Sequence, residues 1–366
     1  MTRPDTSGGG PLPDAAPRRR ARVGIVCTAA ARERYVTPAS LRRLEAGADV
    51  AFLDLAGPAR TSGTPPEDPG LRAAVRSFVR DLDALVVGYG APRIDDEVLA
   101  AAPRLRVVGD THGDRFAARV DVAAASRRGI VVVDTTNGSS DPVAEWALAL
   151  ILIGLRNAGA HFRRLVAGEL LWPDREVFRQ DPGYRNGELA GKTVGLVALG
   201  NVGRHLVALL RPFGVTILAA DPGAPGVLGP AYGLELTSLE SLLERSDVVV
   251  CLVPLTAATR GLFGASALER LRPGAVFVNV SRGAVVDTGA LIARLEAGDV
   301  IACLDVVDPE PLPVDSRLRV LPNVFLSPHI AGVTAASEPR FFDLMVDELQ
   351  RVLSGSQPYY PLIPRE

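Results

Sequence analysis

Residues 191 to 221 read Gly-Lys-Thr-Val-Gly-Leu-Val-Ala-Leu-Gly-Asn-Val-Gly-Arg-His-Leu-Val-Ala-Leu-Leu-Arg-Pro-Phe-Gly-Val-Thr-Ile-Leu-Ala-Ala-Asp. The apolar, β-branched run from Thr193 to Leu199 meets glycines at 200 and 203, then becomes a helical pattern through Leu206, Leu209 and Leu210. A second apolar run, Val215 to Ala220, ends in Asp221, eighteen residues past Gly203. Strand, tight turn, helix and a second strand closed by a carboxylate form a dinucleotide-binding unit. Gly200 lets a pyrophosphate approach the backbone, and Gly203 lets the helix pack close to the strand. The helix then opens with unpaired N–H groups and a partial positive charge toward phosphates. Ala198 stands where the pattern expects its first glycine; its methyl group is expected to fit on a backbone that keeps a negative φ.

Asp221 also selects the cofactor. Its carboxylate suits a ribose diol, whereas a 2′-phosphate there would face a like charge at a cost of several kcal/mol. No arginine or lysine follows between Pro222 and Tyr232. The expectation is NAD(H) over NADP(H).

A chain of 366 residues is typical of two domains. With 47% hydrophobic and 22% charged residues it reads as globular, and a net charge of −2 without a sustained basic block argues against nucleic-acid and membrane-surface partners. Basic residues are almost all arginine, Lys192 being the sole lysine. Cys27, Cys251 and Cys303 lie in apolar runs without metal-like spacing, so buried free thiols in a reducing cytoplasm and no metal site are expected. Residues 1–20, rich in Gly, Pro and Arg, are expected to be disordered.

Strand-like runs at Val23 to Cys27, Val50 to Leu53, Ala84 to Val87, Arg106 to Val108 and Ile130 to Val133 alternate with amphipathic stretches such as Thr37 to Leu44 and Leu71 to Leu82. This is a flavodoxin-like domain. Val143 to Leu155 is apolar on every face except Glu145; at thirteen residues it is too short for a bilayer, and it is expected to be buried on all sides. Residues 161–187 are expected to be polar and irregular, an arm with Trp172 as a candidate anchor on a partner subunit. Further strands are expected at 248–253, 275–280, 301–304 and 324–326, and a last amphipathic helix from Arg340 to Leu353. The fold class is α/β, two doubly wound parallel sheets of Rossmann and flavodoxin type: residues 21–140 with 333–366 as substrate domain, and 141–332 as NAD-binding domain.

Three strand ends carry the chemistry: Asn279-Val280-Ser281-Arg282-Gly283, Asp305-Val306-Val307-Asp308-Pro309-Glu310-Pro311, and Ser327-Pro328-His329-Ile330-Ala331-Gly332. Consecutive parallel strands point the same way, so Arg282, Glu310 and His329 should meet at the carboxyl edge. A guanidinium grips a carboxylate bidentately, an imidazole moves a proton near neutral pH, and a paired carboxylate favours the imidazolium. Beside a nicotinamide, these are the parts of a 2-oxo-acid reductase.

With these motifs the chain resembles the D-isomer-specific 2-hydroxyacid dehydrogenase family. The likeness includes Leu199-Gly200-Asn201-Val202-Gly203, Pro254-Leu255-Thr256 with Thr259, and Val143-Ala144-Glu145, and covers roughly residues 80–355. It implies that Arg282 holds the substrate carboxylate, that His329 is the acid and base with Glu310 as partner, and that Asp305 lies near the nicotinamide carboxamide. It also implies cofactor contacts from Gly200, Asn201, Val202, Asp221, Pro254, Thr259, Ser281 and His329. The family's glycine-rich substrate loop is altered here to Asp110-Thr111-His112-Gly113-Asp114, so Thr111, His112 and Gly113 are the substrate-loop candidates, and Leu252 stands where many members carry histidine. The expected activity is interconversion of a 2-oxo acid and an (R)-2-hydroxy acid by a cytoplasmic homodimer with NAD. The alternative is an NAD(H)-binding scaffold of the corepressor type, a role the same family includes.

Overall fold

A computed structural model describes residues 19–57, 65–111, 119–169, 176–179, 181 and 187–364. The expected disorder of residues 1–20 falls almost wholly outside that set, as do Trp172, His112 and Gly113. The chain forms two compact units, Met1–Asp134 with Met345–Glu366, and Thr135–Leu344.

In the first unit, β1 (Ala21–Thr28), β2 (Ala48–Leu55), β3 (Ala84–Val87), β4 (Val107–Asp110) and β5 (Val131–Asp134) make a parallel sheet in the order β2-β1-β3-β4-β5. This is the flavodoxin-like order. Its helices start where the sequence provides caps: Thr37 accepts from the Ser40 N–H ahead of Pro38, and Asp68 accepts from Gly70 and Leu71 ahead of Pro69.

The second unit holds β6 (Thr193–Val197), β7 (Thr216–Ala220), β8 (Glu235–Leu236), β9 (Val248–Cys251), β10 (Val276–Asn279), β11 (Ile301–Leu304) and β12 (Val324–Leu326), in the order β12-β11-β10-β9-β6-β7-β8. Each neighbouring pair of these strands is parallel. The two-residue β8 has no apolar run of its own and was not expected from the sequence. Alternation puts Val248, Val250, Val276 and Val278 in one core layer and Val249, Cys251 and Phe277 in the other. A sheet covered on both faces needs apolar residues at every position, which is why these strands read as continuous hydrophobic runs. Chain order reverses at β6, with β7 on one side and β9 on the other, and open parallel sheets bind ligands at the carboxyl ends beside such a reversal.

Three expectations are corrected. The Val143 to Leu155 segment is the body of the Ser140–Leu155 helix, and with the turn before it the helical stretch runs twenty residues, Thr136–Leu155, long and apolar enough to cross a membrane by length and composition. It is not buried on all sides: Ala144, Ala147, Leu150, Ile151 and Leu155 are fully covered, whereas Leu152 is 40% exposed. One stripe of the helix packs on the sheet, where a Cβ at Gly154 would come within 2.4 Å of Val276, while Trp146, Leu148 and Ile153 beside it are only half-buried. The 161–187 stretch is not irregular throughout, because helix Ala158–Val166 takes in its first residues and Glu176–Arg179 is a further helical turn. The last helix also starts earlier than expected, at Ser337.

Candidate active site

The turn after β6 has the form the sequence suggests, with one difference. Gly200 caps helix Asn201–Leu210 without any side-chain cap, and a Cβ at Gly200 would meet no atom within 4 Å. An open approach to an uncapped ten-residue helix is what a pyrophosphate requires. Gly203 is tight, since a Cβ there would lie 3.0 Å from the Ala198 carbonyl. Ala198, however, has φ +83°, so the negative φ expected for it is wrong. The turn imposes the left-handed backbone on whichever residue follows β6, and Ala198 bears a strain of about 1–2 kcal/mol that glycine would avoid.

Asp221, at the end of β7, braces the same turn: Oδ2 accepts from the Leu199 N–H at 2.9 Å and Oδ1 from Gly223 at 3.0 Å. Each oxygen keeps acceptor capacity for a diol. The Asn201 side chain is engaged, accepting from Arg204 at 2.6 Å and donating to Asn137. Thr259 accepts from the Thr256 N–H at 2.8 Å and donates to the Pro254 carbonyl. The buried Ser281 hydroxyl donates to the Val253 carbonyl, so Thr259 and Ser281 shape their loops from within. These features accommodate a dinucleotide.

The loops after β10, β11 and β12, three neighbouring strands, carry Arg282, Glu310 and His329. His329 Nδ1 and Glu310 Oε1 lie 2.7 Å apart, with both side chains about two-fifths exposed at 41% and 43%. A pair this exposed adds at most about 1 kcal/mol to stability, so its value lies in orienting the ring. Arg282 is exposed and donates to the Ser281 carbonyl at 2.7 Å. Gly283, next in sequence, faces the backbone after β11: a Cβ there would sit 1.9 Å from the Val307 carbonyl oxygen.

His329 has φ +55°, unusual for a residue with a Cβ. Asp305, 2% exposed at the end of β11, explains how it is held. Its carbonyl accepts from the His329 N–H at 2.8 Å, Oδ1 accepts from Ile330 at 3.1 Å and from the Ser327 hydroxyl, and Oδ2 accepts from Ala331 at 3.0 Å. Hydrogen bonds to a carboxylate are worth about 1.5–3 kcal/mol each, against a left-handed cost of about 1–2 kcal/mol, so the loop geometry is over-determined. Asn279 does the same for the arginine loop: 1% exposed, it accepts from the Ser281 N–H at 3.0 Å and donates to the Arg282 carbonyl at 3.1 Å.

Asn279, Ser327 and Trp146 were not among the sequence candidates. The available signal was a polar residue ending an apolar strand, which fits Asn279; nothing local marks Trp146, whose indole donates to Ser327 from a segment 181 residues away. Thr111, a substrate-loop candidate in the first unit, is 4% exposed and its hydroxyl donates to the Val87 carbonyl at 3.1 Å. His205 pairs with Asp141 at 2.5 Å, and His161 lies 3.6 Å from Asp181. No group of three or more potential metal ligands occurs among the described residues.

Residues 148–331 match the D-isomer specific 2-hydroxyacid dehydrogenase, NAD binding domain. A glyoxylate reductase from Thermofilum pendens is 36% identical over 292 residues, which span 79% of this chain and 84% of that protein. The chain belongs to the D-isomer specific 2-hydroxyacid dehydrogenase family. A D-3-phosphoglycerate dehydrogenase from Methanocaldococcus jannaschii is 33% identical over 279 residues, 76% of this dehydrogenase but 51% of the relative, so the chain spans about half the length of that enzyme. Among solved structures, apo D-mandelate dehydrogenase from Rhodotorula graminis superposes with a TM-score of 0.77 at 24% identity, covering 94% of this chain and 97% of the other, which shows the shared fold. The dehydrogenase is an NAD-dependent oxidoreductase that interconverts 2-oxo and 2-hydroxy acids.

Proposed function

We propose that this dehydrogenase reduces a small 2-oxo acid to the (R)-2-hydroxy acid, with glyoxylate the first substrate to try because relatives of matching length carry that name. The observation that carries the assignment is the 2.7 Å contact between His329 and Glu310 on loops of adjacent strands, with Arg282 on the loop of the next. Arg282 grips the substrate carboxylate and polarises the carbonyl. Glu310 takes the Nδ1 side of His329, which leaves Nε2 to give its proton to the carbonyl oxygen in reduction and to receive it in oxidation. NAD(H), held by the Gly200 turn, the start of helix Asn201–Leu210 and Asp221, supplies or accepts the reducing equivalent when bound. Thr111 anchors the start of its loop to β3, its hydroxyl bound to the Val87 carbonyl, while Asp305 acts on the histidine loop.

The test is NADH oxidation with glyoxylate, pyruvate and phenylpyruvate. Turnover on at least one acid is expected, and His329→Ala should lower kcat by about 10² to 10⁴ with NADH affinity little changed. No turnover on any acid, or near-normal turnover in His329→Ala, refutes the assignment. We further propose a cytoplasmic homodimer: the thiols are free and buried, and Phe162 and Val166, each 68% exposed, follow Leu152 on consecutive helices of one unit. Light scattering should give a dimer that Phe162→Asp weakens; a wild-type monomer at micromolar concentration refutes it.

A further inference from the structure

We infer that Trp146 and Ser327 are positioning residues for the reaction, acting on His329 through the buried carboxylate of Asp305; the inference rests on His329 being the acid and base. An indole N–H can only donate, so in the 3.1 Å contact between Trp146 Nε1 and Ser327 Oγ the serine is the acceptor. Its single hydroxyl hydrogen then goes to Asp305 Oδ1, 2.5 Å away. Asp305 in turn receives the amides of three consecutive residues, His329 on its carbonyl and Ile330 and Ala331 on its carboxylate. With the Ser327 carbonyl, which the His329 N–H also reaches at 3.1 Å, this buried residue holds the backbone on which the imidazole stands, at φ +55°.

The amides alone do not fix that carboxylate, because they belong to the loop it must hold. An outside reference is needed, and the indole provides one through the Ser327 hydroxyl. This link ties Asp305 to the Ser140–Leu155 helix, whose Ala144, Ala147, Ile151 and Leu155 are locked in the core beneath the sheet. The route runs helix, indole, hydroxyl, carboxylate, loop amides, imidazole. A ring oriented for proton transfer loses rate steeply when its backbone shifts, even though no reacting atom touches Trp146 or Ser327. Asp305 is on this reading a support for the histidine loop, its carboxylate committed to Ser327, Ile330 and Ala331.

The test uses the full-length chain as wild type, Trp146→Phe, Ser327→Ala, Ser327→Thr and His329→Ala. Steady-state kinetics use NADH with the best of glyoxylate, pyruvate and phenylpyruvate, and amide exchange at Ile330 and Ala331 is followed in cofactor-free protein. Ser327→Ala and Trp146→Phe should each lower kcat about tenfold, while Kd for NADH stays within about twofold and the melting temperature changes little. Ser327→Thr, which keeps a hydroxyl, should restore most of kcat. Exchange at the two amides should speed up in Ser327→Ala and Trp146→Phe. Unchanged kcat in both variants, unchanged exchange, failure of Ser327→Thr to rescue, or a weakened NADH Kd with normal kcat each overturns the inference. Retained turnover in His329→Ala would instead overturn the site assignment, and the exchange rates would still judge the brace.

Discussion

Gly283→Ala adds one methyl group where two active-site loops touch. A Cβ there would lie 1.9 Å from the Val307 carbonyl oxygen, 2.0 Å from its carbon and 2.6 Å from the Asp308 nitrogen. All three are backbone atoms, so no side chain can swing aside. With 3.0 Å as the closest approach a Cβ tolerates, the loops after β10 and β11 must part by about 1.1 Å, the difference between 3.0 and 1.9 Å. Those loops carry Arg282 and Glu310. Overpacking of this kind costs about 1–3 kcal/mol, and a misplacement near 1 Å can cost about 10²-fold in rate. We therefore expect urea unfolding to show a loss of about 2–3 kcal/mol and kcat with the best 2-oxo acid to fall about 10²-fold. Gly200→Ala is the matched control: its methyl meets no protein atom within 4 Å, so stability should hold to within about 0.5 kcal/mol, while KM for NADH rises because the methyl stands where phosphate must approach. Wild-type kcat and an unchanged midpoint in Gly283→Ala would refute this account of how the loops are registered.

Ala198→Gly should stabilise the protein by about 0.5–1 kcal/mol, the left-handed strain relieved less the added entropy of an unfolded glycine, and a lower unfolding midpoint would show that the turn gains nothing from glycine. Asp221→Ser should narrow the preference for NADH over NADPH by at least tenfold in kcat/KM, and an unchanged ratio would remove Asp221 from cofactor selection. Burial pushes the Cys27 thiol up to about 11 and those of Cys251 and Cys303 up to about 12, from an ordinary 9.0. Because the native values lie above the unfolded one, their contribution to stability is intact below pH 9 and is lost as pH rises from 9 toward 12, so unfolding midpoints should fall across that window. The native protein at pH 8 should leave all three unreactive toward a thiol reagent until it is unfolded, and rapid labelling of the folded chain would contradict their burial.

Much of this molecule could be read from local sequence, for a physical reason. A strand covered on both faces must be apolar throughout, a helix start needs a capping side chain, and a dinucleotide turn needs a residue without a Cβ; each requirement is met within a few residues, as at Val248 to Cys251, Thr37 and Gly200. The carboxyl-edge placement of Arg282, Glu310 and His329 followed from the same logic, since parallel strands put successive loops at one edge. What the sequence left undetermined depends on groups that meet across long separations. The left-handed backbone of Ala198 arises from how β6 enters its turn, and the exposed side of Ser140–Leu155 from how much of the helix the sheet can cover. Likewise the brace on His329 joins Trp146, Asp305 and Ser327, which are strangers in sequence and become partners only once β11, β12 and that helix have packed. The chain order alone specified which chemical groups line the edge; the packed fold fixed their backbone angles and hydrogen-bond partners, because those are set by neighbours that no local pattern records.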